Sequence, residues 1–280
     1  HAYLSELTEK HALPPAELQE RAERIRQRCS YCYGALKPET VRALYGDTLR
    51  LSSTRIDRLA SCSLAYFLQF GLRAARRETA ALDAPLYGEL VHYVLEHTVR
   101  QTMEEGGFAA VAPARVCELS EEAMQRYARE RLAPILRDER EAFLFYRSFG
   151  EVRQVVQELY EELCSGSFEP HWMELHFAAG EALPAVEIRG QSVRAYLEGY
   201  VDRVDLWRDG ERLYVRVVDY KTGKKNFDYA GILHGLGLQM LLYLFALVRS
   251  GARLTGARLL PAGVEYFPAR VEPIRLDNRT

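Results

Sequence analysis

From residue 171 onward, apolar and polar side chains alternate in short runs, which is the pattern of β-strands with one buried face. Ile232–Val248 differs because it is apolar on nearly all sides. This stretch predicts a buried helix packed against the sheet. The runs predicted to be strands are Trp172–Phe177, Ala185–Ile188, Val193–Trp207, Leu213–Asp219 and Ala257–Val271.

Before the predicted sheet, the chain has helical periodicity. Good helix formers follow Pro14-Pro15, and apolar residues from Ile56 to Phe67 recur at the spacing of one helix face. We therefore predict an α/β protein. Residues 1–50 are expected to form a helical N-terminal segment, consistent with the end of an upstream region. Residues 51–280 are expected to form the main domain, helical over 51–165 and sheet-containing over 170–280.

The composition is that of an ordinary globular protein. The 280 residues are 48% hydrophobic and 27% charged, with a net charge of −2, so any contact with nucleic acid must come from a local basic patch. Five cysteines argue against a secreted disulfide framework, and no signal peptide is recognisable. The longest apolar run, Leu236–Val248, is too short to span a bilayer. We expect a cytoplasmic protein without a membrane partner.

Residues 198–221 carry the strongest local signal, an Asp-Gly pair between two alternating runs. Such a pair predicts a β-hairpin. If Asp209-Gly210 is a two-residue turn, Asp202 lies opposite Val217 on the second strand. The side chains of Asp202 and Val217 then point to the same face of the hairpin.

Asp219 and Lys221 have the same parity as Val217, so they share a face with Asp202. Two carboxylates at this spacing can converge on one cation, with an ammonium beside it. Asp205 has the opposite parity and should point to the other face. The alternative is an ordinary hairpin in which Asp202 and Asp219 lie on a solvated surface.

Three polar residues at helical spacing are further candidates. His92 lies in the predicted helix 86–104 and could supply an imidazole ligand, or could be a satisfied core or surface histidine. Gln239 and Tyr243 interrupt the apolar helix one turn apart. They could form a hydrogen-bonded core pair or reach a cleft. The pair Cys29 and Cys32 could be half of a metal site or two unremarkable thiols.

Taken in chain order, these residues resemble a known family. The four motifs that carry the resemblance are Gly88-x-x-x-His92, Gly199-x-x-Asp202, Asp219-x-Lys221 and Gln239-x-x-x-Tyr243. They resemble the RecB-type branch of the PD-(D/E)xK nuclease superfamily. Leu44-Tyr45-Gly46 and Leu51–Phe67 further resemble the start of the nuclease domain in the AddB family of helicase–nuclease subunits. The resemblance implies a restriction-endonuclease-like mixed sheet flanked by helices.

The resemblance also implies a function, metal-dependent hydrolysis of phosphodiester bonds in DNA. Asp202 and Asp219 supply carboxylates suited to Mg²⁺, and the resemblance adds His92 and the carbonyl of Tyr220 as ligands. The imidazole makes Mn²⁺ a plausible substitute. Lys221 is expected to orient water and stabilise charge on the phosphoryl oxygens. The residues expected to position the DNA strand and the lysine are Gln239 and Tyr243, and the candidates for phosphate contact are Arg55, Arg73, Lys224 and Lys225.

Cys62 corresponds to the first ligand of a 4Fe-4S cluster in the AddB family. Ser63 stands where that family usually has proline, and no cysteine follows Cys164. The cluster therefore requires three further cysteines from a full-length protein. The family resemblance also implies an AddA-type subunit as partner in processing double-strand breaks.

Two other functions remain open from the sequence. One is a non-catalytic module that binds DNA ends within a repair complex. The other is a stand-alone nuclease of the same superfamily from a phage or a CRISPR system.

Overall fold

A computed structural model describes residues 15–29, 35–74, 84–133, 139–190 and 193–270. The chain divides into two compact units, His1–Gly46 and Asp47–Thr280. The division falls before residue 50 because Thr48–Leu51 is a strand of the second unit and not part of the helical segment.

Several helices begin at a capping residue or a proline. The Ser52 hydroxyl accepts a hydrogen bond from the Arg55 amide at 3.4 Å and caps one of them. Among the described residues, no helix is both long and apolar enough to cross a membrane. The helices are α1 (Pro15–Cys29) and α2 (Pro38–Tyr45) in the first unit, then α3 (Ser53–Ser61), α4 (Ser63–Tyr66), α5 (Ala84–Glu104), α6 (Pro113–Tyr127), α7 (Glu139–Ser165), α8 (Tyr229–Leu233), α9 (Gln239–Ser250) and α10 (Ala252–Thr255), with π-helical turns at Phe67–Gly71 and Ala128–Leu132.

The strands form two mixed sheets. The smaller sheet has the order β1-β4-β3, and the larger has the order β2-β5-β6-β7. In the larger sheet β2, β5 and β6 are antiparallel neighbours, whereas β7 runs parallel to β6. This architecture confirms the predicted α/β class. The strands are β1 (Thr48–Leu51), β2 (Glu169–Phe177), β3 (Val186–Arg189), β4 (Arg194–Leu197), β5 (Gly199–Asp209), β6 (Arg212–Lys221) and β7 (Leu259–Pro268).

The β5–β6 hairpin differs from the predicted register by two residues. Asp209 pairs with Arg212, so Gly210 and Glu211 form the turn, and Gly210 takes a positive φ of 57°. Val217 is consequently opposite Val204 rather than Asp202. A shift of two residues preserves the faces of both strands, so the predicted sharing of faces still holds.

Helices cover both faces of the four-stranded sheet. On one face α5, α6 and α7 pack against Val218, Tyr220 and Phe267. On the other face α9 packs against a cluster that includes Val204 and Val217. Neighbouring residues of β5 and β6 therefore contribute to two different cores, as the alternation of strand side chains requires.

The predicted helix over Ile232–Val248 is interrupted. It forms α8 and α9, with a break at residues 234–238. Gly235 and Gly237 have positive φ values of 83° and 64°, which a right-handed helix cannot accommodate. The Gly237 amide donates a 2.9 Å hydrogen bond to Asp57 Oδ1, which ties this break to α3.

A cluster of charged side chains lies on the sheet face that α7 covers. Arg203 and Asp205 are completely buried, and Arg203 Nε donates to Asp205 Oδ1 at 2.8 Å. Glu162 of α7 contacts Arg203 at 3.0 Å and Arg216 at 2.6 Å. Arg216 also pairs with Asp205 and with Glu265 of β7, each at 2.7 Å. Asp205 thus faces away from Asp202, as its parity predicts.

We expect Asp205→Ala to lower the free energy of unfolding by about 3–5 kcal/mol, because the substitution leaves the buried Arg203 guanidinium without its closest carboxylate. The measurement is urea unfolding followed by circular dichroism.

Arg50→Ala is the matched control for this prediction. It removes the exposed Arg50–Glu198 ion pair and should cost less than about 1 kcal/mol. Equal losses for the two variants would contradict the structural role assigned to Asp205.

Candidate functional site

The site lies at the end of the β5–β6 ladder, just beyond the pair formed by Arg203 and Val218. Asp202 and Asp219 follow this pair on adjacent strands, so their side chains share the face opposite to Arg203. The Tyr220 amide donates a 2.8 Å hydrogen bond to Asp202 Oδ2. This bond fixes the carboxylate against the neighbouring strand.

Asp202 is almost buried, and its pKa is raised to about 6. Burial is the main cause, since it disfavours the charged form, and repulsion from Asp219 adds to it. His92, the Tyr220 amide and Lys221 act in the opposite direction. The carboxylate therefore sits where positive charge would be favourable.

His92 reaches this edge from α5. Its Nε2 is 3.0 Å from the Tyr220 carbonyl oxygen, and its Nδ1 is 3.5 Å from Asp202 Oδ2. Neighbouring ligands of an octahedral cation are separated by about 3 Å when each bond is about 2.1 Å. The spacing of the imidazole and the Tyr220 carbonyl is thus compatible with one shared ion.

Glu174 of β2 is a site residue that the sequence reasoning missed. One ligand atom each from His92, Glu174 and Asp202 lies within 4.8 Å of the others. The neighbours of Glu174 pair with the residues on either side of Asp202, which places Glu174 across from it. Glu174 has a positive φ of 49°, a strained conformation for a residue other than glycine. Only the β2–β5 register could have revealed this proximity.

The pKa of Glu174 is raised to about 7, chiefly by burial and then by the negative charges of Asp202 and Glu96. Two crowded carboxylates and an imidazole form a donor set that suits a divalent cation. Such an ion would offset the cost of burying both charges and the repulsion from their neighbours. The residues present therefore fit a divalent metal.

Lys221 and Asp219 form an ion pair next to this group. Lys221 Nζ is 2.5 Å from Asp219 Oδ2. Asp219 Oδ2 is buried, and the Lys221 ammonium is its charged partner. Asp219 Oδ1 accepts from Gln239 Nε2 at 3.3 Å.

Gln239 and Tyr243 support Asp219 from α9. Gln239 Nε2 also lies 3.3 Å from the Tyr243 hydroxyl, so the two residues form a hydrogen-bonded pair. Tyr243 is only 4% exposed, which keeps it beneath the site. A Cβ at Gly199 would lie 2.9 Å from the Tyr243 hydroxyl, so the absence of a side chain at Gly199 makes room for it.

The candidate phosphate contacts differ in exposure. Arg55 is held within the chain, because it donates to the Arg50 carbonyl at 2.7 Å and lies 4.9 Å from the centre of the Phe70 ring. Arg73, Lys224 and Lys225 are exposed. The last two follow directly after β6 and Lys221, whereas Arg73 follows the π-helical turn.

The described residues do not build an iron–sulfur site. Cys62 ends α3 as an exposed free thiol, and the candidate metal-ligand group found among the described residues contains no cysteine. The side chain of Cys29 and all of Cys32 lie outside the described residues. A four-thiolate cluster at Cys62 stays a prediction for a longer protein.

Comparisons with known proteins agree with the motifs. The family model described as the PD-(D/E)XK nuclease superfamily matches residues 50–277. Relatives that are named as one subunit of an ATP-dependent helicase/deoxyribonuclease include the protein of Moorella thermoacetica, 33% identical over 247 residues, and that of Symbiobacterium thermophilum, 34% identical over 251 residues. These alignments cover 86% and 84% of this chain and 21% of each relative. The chain thus spans about a fifth of the length of the curated relatives it matches. Because the family model covers well over half of its residues, the chain belongs to the PD-(D/E)XK nuclease superfamily.

Proposed function

We propose that this chain is a metal-dependent deoxyribonuclease domain that hydrolyses phosphodiester bonds. One observation carries the proposal: His92, Glu174 and Asp202 converge within 4.8 Å, and the Asp219–Lys221 ion pair lies on the adjoining strand. Acidic ligands for a cation beside a lysine are what phosphodiester hydrolysis requires. Membership of a nuclease superfamily supports the same reading.

His92, Glu174, Asp202 and the Tyr220 carbonyl would hold the cation. Asp219 remains a further candidate ligand, because its buried carboxylate lies on the strand next to Asp202 and shares its face. Oxygen ligands favour Mg²⁺, and the imidazole allows Mn²⁺. When bound, such an ion supplies Lewis acidity and lowers the pKa of water.

Lys221 supplies positive charge from the protein itself. Its ammonium is held by Asp219, and it is partly exposed, so it can face the phosphoryl oxygens of a bound strand. Gln239 holds the other oxygen of Asp219 and is itself braced by Tyr243. We infer that Gln239 and Tyr243 position the Asp219–Lys221 pair, since the buried Tyr243 is remote from solvent.

The relatives carry names that describe each of them as one subunit of an ATP-dependent helicase and deoxyribonuclease. We propose that this chain is the nuclease part of such a protein. It would act with an AddA-type partner on the ends of broken DNA. Cys62 would contribute one iron–sulfur ligand only if a longer protein provides three others.

Lys221→Ala should reduce cleavage of single-stranded DNA by at least about 100-fold, because the phosphoryl charge loses its protein-borne counter-ion. Binding of the same strand should stay nearly unchanged. Cleavage is measured with an end-labelled oligonucleotide and Mg²⁺, and binding by fluorescence anisotropy.

Lys37→Ala, which alters an exposed lysine of the first unit, is the control and should cleave like the parent. Cleavage by Lys221→Ala at the parental rate would refute the assignment of Lys221.

Asp202→Asn and Glu174→Gln should each weaken Mn²⁺ binding by about 10-fold or more, because each removes a charged ligand. Substitution of residues that only hold the ligands in place already lowers metal affinity by about 10-fold or more. Isothermal titration calorimetry of the purified variants gives the affinities. The isosteric changes keep the shape of the site.

Glu118→Gln on α6 serves as the matched control, since Glu118 is exposed and pairs with Arg115 on the same helix. Its Mn²⁺ affinity should equal that of the parent. If Glu174→Gln behaved like this control, Glu174 would not be a ligand.

A further inference from the structure

A small pocket lies directly beside the candidate active site. Its volume is about 110 Å³, well below the ~300–1,000 Å³ of sites for drug-sized ligands, so it has room for one ring system. Phe227 and Tyr266 provide its aromatic wall, and Ile232 and Leu236 add aliphatic surface. Lys225, Asn226 and Asp228 supply the polar lining.

Tyr266 connects this pocket to the catalytic residues. It pairs with Asp219 in the parallel β6–β7 ladder, so both side chains lie on the same face of the sheet. Lys221 Nζ is 6.0 Å from the centre of the Tyr266 ring. A group in the pocket would therefore be one side chain away from the Asp219–Lys221 pair.

The two aromatic side chains of the wall contact each other directly. The rings of Phe227 and Tyr266 stack with centroids 4.5 Å apart and planes inclined by 26°. Two glycines of the lining are held by hydrogen bonds, because Asp228 Oδ1 accepts from the Gly231 amide at 3.0 Å and Asp57 Oδ1 accepts from the Gly237 amide at 2.9 Å. The pocket is thus shaped in advance of any ligand.

We propose that this pocket binds one unpaired base of the DNA strand being cut, an inference that rests on the proposed nuclease function. A planar base offers a π-face to the Phe227–Tyr266 wall and polar edges to Asn226 and Lys225. Lys225 also adds positive charge near the phosphate backbone.

Such a pocket can take a base only where the strand is unpaired. A base inside a duplex is stacked on both sides and cannot enter a pocket without leaving its partner. A single strand can present a free base at little cost. The pocket therefore favours strands, tails or frayed ends over intact duplex.

The test uses Lys221→Ala as the non-cleaving parent. A fluorescein-labelled single strand of about 12 nucleotides is titrated in Mg²⁺, with one abasic position moved along it. Removal of the base at one position should weaken binding by about 5- to 100-fold, the range measured for loss of one base–aromatic stack. If no position has this effect, the proposal is wrong, whatever the variants show.

The same titration is repeated after adding Phe227→Leu and Tyr266→Leu together. This change should weaken single-strand binding by a similar factor, leave duplex binding unchanged and abolish the effect of the abasic position. Tyr146→Leu, which removes an exposed aromatic on α7, is the control and should bind like the parent. Equal losses for single strand and duplex, or an abasic effect that persists in the double variant, would overturn the proposal. Circular dichroism checks the fold, and the abasic scan decides if the double variant does not fold.

A separate assay of Mg²⁺-dependent cleavage by the unmodified chain distinguishes a failure of the proposed nuclease function from a failure of the proposed base pocket. Base-dependent binding without cleavage would refute the nuclease function and leave the base pocket standing. Cleavage without base-dependent binding would refute the base pocket and support the nuclease function.

Discussion

The pairing of β5 with β6 is the constraint on which the rest of this structure depends. Each strand carries polar chemistry on both faces, with Asp202 and Arg203 adjacent in sequence and opposite in direction. A shift of one residue would place Asp202 in the core beneath α7 and Arg203 in the site. The buried cluster of Arg203, Asp205 and Arg216 opposes such a shift, because the charges would lose their partners.

The two faces of this strand pair handle charge differently. On the α7 face, carboxylates and guanidinium groups from three strands and one helix pair with each other, so each charged group there has an opposite charge in contact. On the opposite face, burial raises the pKa values of Asp202 and Glu174, and neighbouring carboxylates raise them further. The first arrangement stabilises the fold, while the second leaves negative charge that a cation can neutralise.

Tyr220 links these two faces. Its amide holds Asp202, its carbonyl lies beside the His92 imidazole, and its side chain packs in the core under the helices. Pairing of Tyr220 with Phe267 of β7 fixes this backbone segment, so its amide and carbonyl can position ligands accurately. Tyr266 lies beside Asp219 on the face opposite to the Tyr220 side chain and extends that face from the Asp219–Lys221 pair to the pocket.

Local spacing in the sequence determined the α/β class, the hairpin and the shared face of Asp202, Asp219 and Lys221. These follow because strand side chains alternate with a period of two, and the two-residue error in register left that parity unchanged. The sequence also suggested that Gln239 and Tyr243 pair, because residues four apart in a helix are neighbours. Only the tertiary structure decided which residues distant in sequence lie beside Asp202 and Asp219. Glu174 enters through the β2–β5 register and a strained φ, and contacts between distant strands cannot be read from local periodicity.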